Sequence, residues 1–113
     1  MDTPFLSLII PAHNEANRLE EALQKVEGFI RQQDYSVEVI LVENASSDAT
    51  VEMARNFQMC LPHLRLMCLE QPGKGNAVRE GMLAAHGVYR FMADTDFSMP
   101  IEEINRFFHY LSW

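Results

Sequence analysis

The chain has 113 residues, against roughly 150 for an average domain, which favours one domain over two. It is 48% hydrophobic and 22% charged, enough apolar side chain for a packed core and too much for a disordered acidic tail. Nine basic and 16 acidic residues leave a formal charge of -7, which disfavours generic binding to nucleic acid or anionic lipid, because phosphate neutralisation needs clustered Lys and Arg. An anionic ligand has to be held by a local device. Cys60 and Cys68 are too few for a disulfide framework, and no charged start followed by an apolar run marks a signal peptide. No wholly apolar run approaches the roughly 20 residues of a membrane span. The expectation is a reduced, cytoplasmic, soluble chain. Cys60 and His63 have the spacing of half a zinc site, but no second pair completes it.

Residues 5–10 form a nearly continuous apolar run stopped by Pro11, the pattern of a strand covered on both faces. From Glu15 to about Gln33, Leu19, Ala22, Leu23, Val26, Phe29 and Ile30 recur at helical spacing. Residues 37–42 predict a second strand, and residues 48–59, with Val51, Met53, Ala54 and Phe57, a second helix. Residues 64–69 read as a third strand and residues 73–86 as a third helix ended by Gly87. A fourth strand follows over residues 88–93. Pro100 then opens a last helix carrying Ile101, Ile104, Phe107, Phe108 and Leu111. Four strand–helix units in succession predict an α/β fold with a Rossmann-like parallel sheet, helices on both faces and right-handed crossovers. Ligands in such sheets bind beyond the carboxyl ends of the strands.

All four strand ends carry polar or glycine-rich sequence: Pro11-Ala-His-Asn-Glu15, Glu43-Asn-Ala-Ser-Ser-Asp-Ala-Thr50, Gln71-Pro-Gly-Lys-Gly-Asn76 and Asp94-Thr-Asp96. The topology brings these segments to one sheet edge, and that convergence is the main sign of a site. Each has a local reading as well. Asn14 suits a helix cap and Glu15 a first-turn acid, while Ser46, Ser47 and Asp48 suit caps of the second helix. Gly73-Lys74-Gly75 offers backbone amides to a phosphate at a helix start, or simply makes a tight turn. It is not a Walker A loop, since Lys74 is followed by Gly75 rather than Ser or Thr. In extended chain Asp94 and Asp96 point the same way and could share one hard cation, Mg²⁺ or Mn²⁺, although an exposed turn would tolerate both. A divalent ion would let an acidic protein bind a diphosphate. His13, His63, His86 and His109 are scattered and receive no catalytic role; the Met residues read as core filler.

These segments together resemble the amino-terminal half of family 2 glycosyltransferases of the GT-A fold. Ile10-Pro-Ala-His-Asn-Glu15, Val42-Glu-Asn-Ala-Ser-Ser-Asp-Ala-Thr50 and Asp94-Thr-Asp96-Phe-Ser98, the last as a DxD element, occur in the family's order. Gly73-Lys-Gly-Asn-Ala-Val-Arg-Glu-Gly-Met82 is similar to the subgroup of dolichyl-phosphate glucosyltransferases and dolichyl-phosphate mannose synthases. The resemblance implies an inverting enzyme with a UDP-sugar or GDP-sugar donor and an acceptor such as a polyprenyl phosphate. It implies Pro11 and Glu15 beside base and ribose, Asn14 in the same motif, Asn44 and Asp48 lining the base pocket, and Lys74 and Arg79 along the nucleotide. Asp94 and Asp96 would hold ribose and metal. Many relatives have Asp-Asp-Gly-Ser where this chain has Glu43-Asn44-Ala45-Ser46; an amide both accepts and donates, which leaves uracil and guanine both open.

The last helix runs apolar and aromatic up to Trp113, so residues 1–113 are expected to be the nucleotide-sugar-binding part of a longer domain, with the acceptor-binding part and the base absent. In a 3-2-1-4 strand order the fourth strand is an edge, and a homodimer through that edge or through the Phe107, Phe108 and Trp113 face is expected. The alternative function is a non-catalytic nucleotide-binding or assembly module. No nucleic-acid partner is expected, and in a longer parent the site would sit at the cytoplasmic face of a membrane.

Overall fold

Among the described residues of the computed structural model, 3–96 and 100–111, strands and helices alternate from end to end. The order is β1 (Leu6–Ala12), α1 (Ala16–Arg31), β2 (Val37–Asn44), α2 (Thr50–Gln58), β3 (Leu64–Leu69), α3 (Lys74–Ala84), β4 (Tyr89–Met92) and α4 (Glu103–Leu111). Phe97, Ser98 and Trp113, named above, lie outside the described residues. The strands form one parallel sheet in the order β3-β2-β1-β4, as expected. Most boundaries move by no more than two residues from the sequence expectation, but the last helix starts three residues late, at Glu103, so Pro100 and Ile101 precede it. Pro11 does not stop β1: it pairs with Val42 of β2. The carbonyl of Ile9 accepts the N–H of Ala93 on the β4 side, so by alternation Pro11 also faces that side, beyond the last β4 pair. Its missing N–H therefore breaks no ladder bond.

β1 and β2 are buried along their whole length, which explains their unbroken apolar runs. Leu6, Leu8, Ile10 and Ala12 of β1 pack with Leu19, Leu23, Val26 and Phe29 of α1, Ala54 of α2, Ile101 just before α4 and Ile104 within it. Each buried Leu, Val or Phe contributes about 1.5–3 kcal/mol relative to exposure. Ile9, Ile40 and Val42 point to the other face, under Ala77 of α3. α3 lies close there: a Cβ at Gly81 would stand 2.5 Å from Cγ2 of Ile9. Helices thus cover both faces. Phe5, Tyr35, Tyr89, Phe91, Phe107 and Phe108 stack into an aromatic cluster between the start of the sheet and α4, with ring centroids 4.9–6.3 Å apart. The two halves of the chain diverge from β1, β2 to one side and β4 to the other, which opens a crevice at the strands' carboxyl ends.

Candidate functional site

A cleft of about 300 Å³ occupies that crevice, lined by Pro11, Ala12, His13, Glu15, Asn44, Pro72, Gly73, Lys74, Asp94 and Thr95. It gathers residues from the exits of all four strands, including Pro11, Glu15, Asn44, Lys74 and Asp94 of the expected set. A larger open hollow of about 730 Å³ lies at the opposite strand ends. Size does not make it the site, because its polar groups already satisfy one another. There the buried Glu38 carboxylate accepts from the Ser7 hydroxyl, the His86 backbone N–H and the Arg65 guanidinium, and Arg65 also donates to the Ala84 carbonyl. Burial opposes ionisation of Glu38, but these hydrogen bonds outweigh it and hold the carboxyl below the ordinary carboxylate range.

Asn44 is the hub of the cleft. Its Nδ2 donates to the Ala12 carbonyl at 3.0 Å, and its Oδ1 accepts the Gly73 N–H at 3.1 Å. The side chain is buried and ties the β1 exit to the start of α3. Gly73 has φ +142°, a conformation that L side chains rarely adopt, so a glycine is required where the chain turns into α3. His13, which sequence reasoning left without a role, lines the cleft. Its Nδ1 donates to the Asn44 carbonyl, because a carbonyl can only accept; in the neutral ring this leaves Nε2 as an acceptor, 3.4 Å from Asn14 Nδ2. Its position inside the motif between β1 and α1 was the available signal.

Asn14 and Asp48 are not among the residues lining the cleft; they knit its two neighbouring loops together. Asn14 does not cap α1. Its N–H donates to the Ser46 hydroxyl at 3.0 Å and its Oδ1 accepts the Ser47 N–H at 2.8 Å. Asp48 caps two helices at once, accepting the Ala16 N–H of α1 at 3.2 Å and the Thr50 N–H of α2 at 3.0 Å. The buried Thr50 hydroxyl accepts the Glu15 N–H at 3.0 Å and donates to Asp48. That hydroxyl bond is the main cause of a lowered Asp48 pKa; burial opposes it, and the backbone N–H bonds add to it. Asn14 and Ala45 both sit at φ 52°, a conformation uncommon for non-glycine residues that the crossed loop bonds hold in place.

Lys74, the first residue of α3, places Nζ 2.6 Å from Asp94 Oδ1. This hydrogen bond is the main cause of a raised Lys74 pKa; burial opposes it, and the charges of Asp94 and Asp96 add to it. Asp94 and Asp96 do not share the extended backbone that the two-residue spacing suggested. β4 ends at Met92, and residues 95–96 form a turn. Asp94 lines the cleft, Asp96 lines an adjoining hollow with Arg18 and Lys25, and the buried Thr95 borders both. Among the described residues no third His, Cys, Asp or Glu joins them in a metal-ligating group. The donor set still suits a hard cation. Both carboxylates act on one ammonium, and Mg²⁺-type sites use one or two carboxylates with phosphate oxygens completing the shell. Arg79 is exposed on α3 and is not among the cleft-lining residues.

A parallel sheet with a polar cleft at its switch point defines a doubly wound α/β fold, and similarity to solved structures narrows it to the GT-A glycosyltransferase fold. TarS 1-349 of S. aureus superimposes with TM-score 0.76 at 22% identity, covering 96% of this chain and 32% of that one. A mannosyltransferase of Pyrobaculum calidifontis, in complex with GDP-Man and Mn²⁺, gives TM-score 0.71 at 29% identity, covering 85% of this chain and 28% of that one. The Glycosyl transferase family 2 model matches residues 7–113, and the chain belongs to that family. The dolichyl-phosphate beta-glucosyltransferase of Drosophila melanogaster is 38% identical over 105 residues, covering 84% of this chain and 32% of the relative. That of Dictyostelium discoideum is 32% identical over 114 residues, covering 94% and 35%. The chain spans about a third of the length of these relatives.

Proposed function

We propose that this chain is the donor-binding part of an inverting glycosyltransferase that moves a sugar from a UDP-sugar or GDP-sugar to a lipid phosphate such as a polyprenyl phosphate. One observation carries the reading: the cleft sets the amino end of α3, with Gly73 and Lys74, against Asp94 at the end of β4. Helix-start amides and a lysine suit a diphosphate, and the acidic pair suits Mg²⁺ or Mn²⁺. The similarity to dolichyl-phosphate beta-glucosyltransferases and to a mannosyltransferase in complex with GDP-Man and Mn²⁺ supports it. Asp94 and Asp96 would hold the cation, which when bound stabilises charge on the leaving diphosphate. Pro11, Glu15 and His13 form the wall on the β1 side, where nucleoside contacts belong, and Asn14 and Asp48 keep that wall in place. The acceptor-binding part and its base belong to sequence outside these residues. The exposed thiols Cys60 and Cys68 suit a reducing compartment, and we place the reaction in the cytoplasm, at the cytoplasmic membrane face in a longer parent.

Calorimetric titration of UDP-glucose and GDP-mannose, with and without Mn²⁺, tests this. Metal-dependent binding of one donor, lost in Asp96→Ala, is expected and names the base. Binding of neither donor to the full-length protein would overturn the reading. Binding without transfer to any lipid phosphate would favour the non-catalytic nucleotide-binding module.

A further inference from the structure

We infer that Lys74 is a resident counter-ion of the acidic pair, exchanged on ligand binding, so that divalent cation and donor diphosphate bind as mutually dependent partners. The inference rests on the donor-site reading above and assigns Lys74 a role beyond contacting the nucleotide. The Lys74–Asp94 contact, at 2.6 Å, is the shortest ion pair among the described residues, and Asp96 follows two residues on, lining the adjoining hollow. Both side chains remain accessible, 58% exposed for Lys74 and 33% for Asp94, so the pair exchanges without unpacking the core.

A divalent ion on Asp94 and Asp96 takes over the charge that Lys74 now neutralises, and like charges then repel the ammonium. The backbone of Lys74 cannot retreat with it. Gly73, its neighbour, is held by Asn44 Oδ1, and α3 is packed so closely that Gly81 touches Ile9. Only the flexible side chain can swing, and it swings about the amino end of α3, where helix-start amides already favour an anion. A diphosphate arriving there supplies the displaced ammonium with a new partner and the cation with its missing oxygen ligands. Without the diphosphate, the cation must compete with Lys74 for Asp94 while the lysine gains nothing in return. Coupling of this kind is reciprocal, so the diphosphate in turn binds poorly without the cation.

The distinguishing consequence is a change of opposite sign in one variant. In the full-length protein, Lys74→Met is expected to bind Mn²⁺ alone about fivefold or more tightly than the wild type, read by electron paramagnetic resonance of free Mn²⁺. The same variant is expected to bind UDP or GDP, at saturating Mn²⁺, about fivefold or more weakly by calorimetry. Lys74→Arg, which keeps the charge, should restore weak binding of Mn²⁺ alone. Lys74→Gln repeats the neutral case with a polar side chain should the Met variant not fold. Unchanged or weaker binding of Mn²⁺ alone in both neutral variants would overturn the inference, while leaving the donor site standing if the wild type binds nucleotide with Mn²⁺. A wild type that binds neither Mn²⁺ nor nucleotide would overturn both.

Discussion

Asn44 Oδ1 accepts the backbone N–H of Gly73 at 3.1 Å, joining the end of β2 to the turn that starts α3. The other half of the same amide donates to Ala12, so one buried side chain spans three of the loops around the cleft. In Asn44→Asp the acceptor for Gly73 survives, but an oxygen now faces the Ala12 carbonyl and a charge is buried. A stability loss of about 1–3 kcal/mol is expected in urea denaturation. Because the residue shapes the cleft, calorimetry should show UDP and GDP weakened by similar factors. A switch in their ratio would mean that Asn44 reads the base directly.

The Glu38 network lies at the opposite sheet end, on Ser7, Arg65 and His86. Its folded-state pKa is lowered, so its stabilisation is complete above the ordinary carboxylate range and is lost as pH falls through the folded value. Glu38→Gln is expected to cost about 1–3 kcal/mol at neutral pH, with the gap to wild type closing in acid. Unfolding curves across pH check this. Nucleotide affinity should not change, since the cleft is at the other end of the strands.

Asp48 binds the first N–H of α1 and that of Thr50 at the start of α2. Asp48→Ala should speed amide hydrogen exchange at Ala16 and Thr50 selectively and weaken nucleotide binding by loosening the loop that carries Glu15. The lowered Asp48 pKa gives the wild type the same sign of response: protection at these amides holds above the ordinary carboxylate range and falls as acid protonates Asp48. Equal exchange in variant and wild type would refute this.

β4 pairs with β1 on one side and stands at the sheet edge on the other. Val88, just before it, is 65% exposed, and Phe107 nearby is also exposed. An uncovered apolar edge pairs with other chains, and the 113-residue chain is expected to dimerise through it. Light scattering at high concentration should show a dimer that Val88→Lys dissociates. A monodisperse wild-type monomer would contradict it.

The alternation of strand and helix was legible in the sequence because hydrophobic period is a property of chain neighbours. The unbroken run around Ile9 and Ile10 and the spaced Leu19, Leu23 and Val26 meet the core for that reason. The convergence of Pro11, Glu15, Asn44, Lys74 and Asp94 was legible too, since parallel topology carries every strand end to one edge. Local expectations fail in several places. Asn14 suits a cap of its own helix, yet it bonds Ser46 and Ser47 from the next unit, and Asp48 caps α1 in its place; Met59, at an apolar position of the pattern, is 87% exposed rather than core filler.

Partners 32 residues apart are set by the pairing of Ala12 with Glu43, which no local pattern encodes. Likewise, the spacing of Asp94 and Asp96 placed them on one face only for a strand that continued, whereas β4 ends at Met92 and the chain turns. By itself the sequence determined the order of elements, the face each buries and the edge where chemistry gathers. Tertiary structure alone decided which polar groups face the cleft, which are consumed in holding it, and that Lys74 rests on Asp94. Those outcomes depend on strand register and on where each strand stops, both settled by packing across the sheet rather than along the chain.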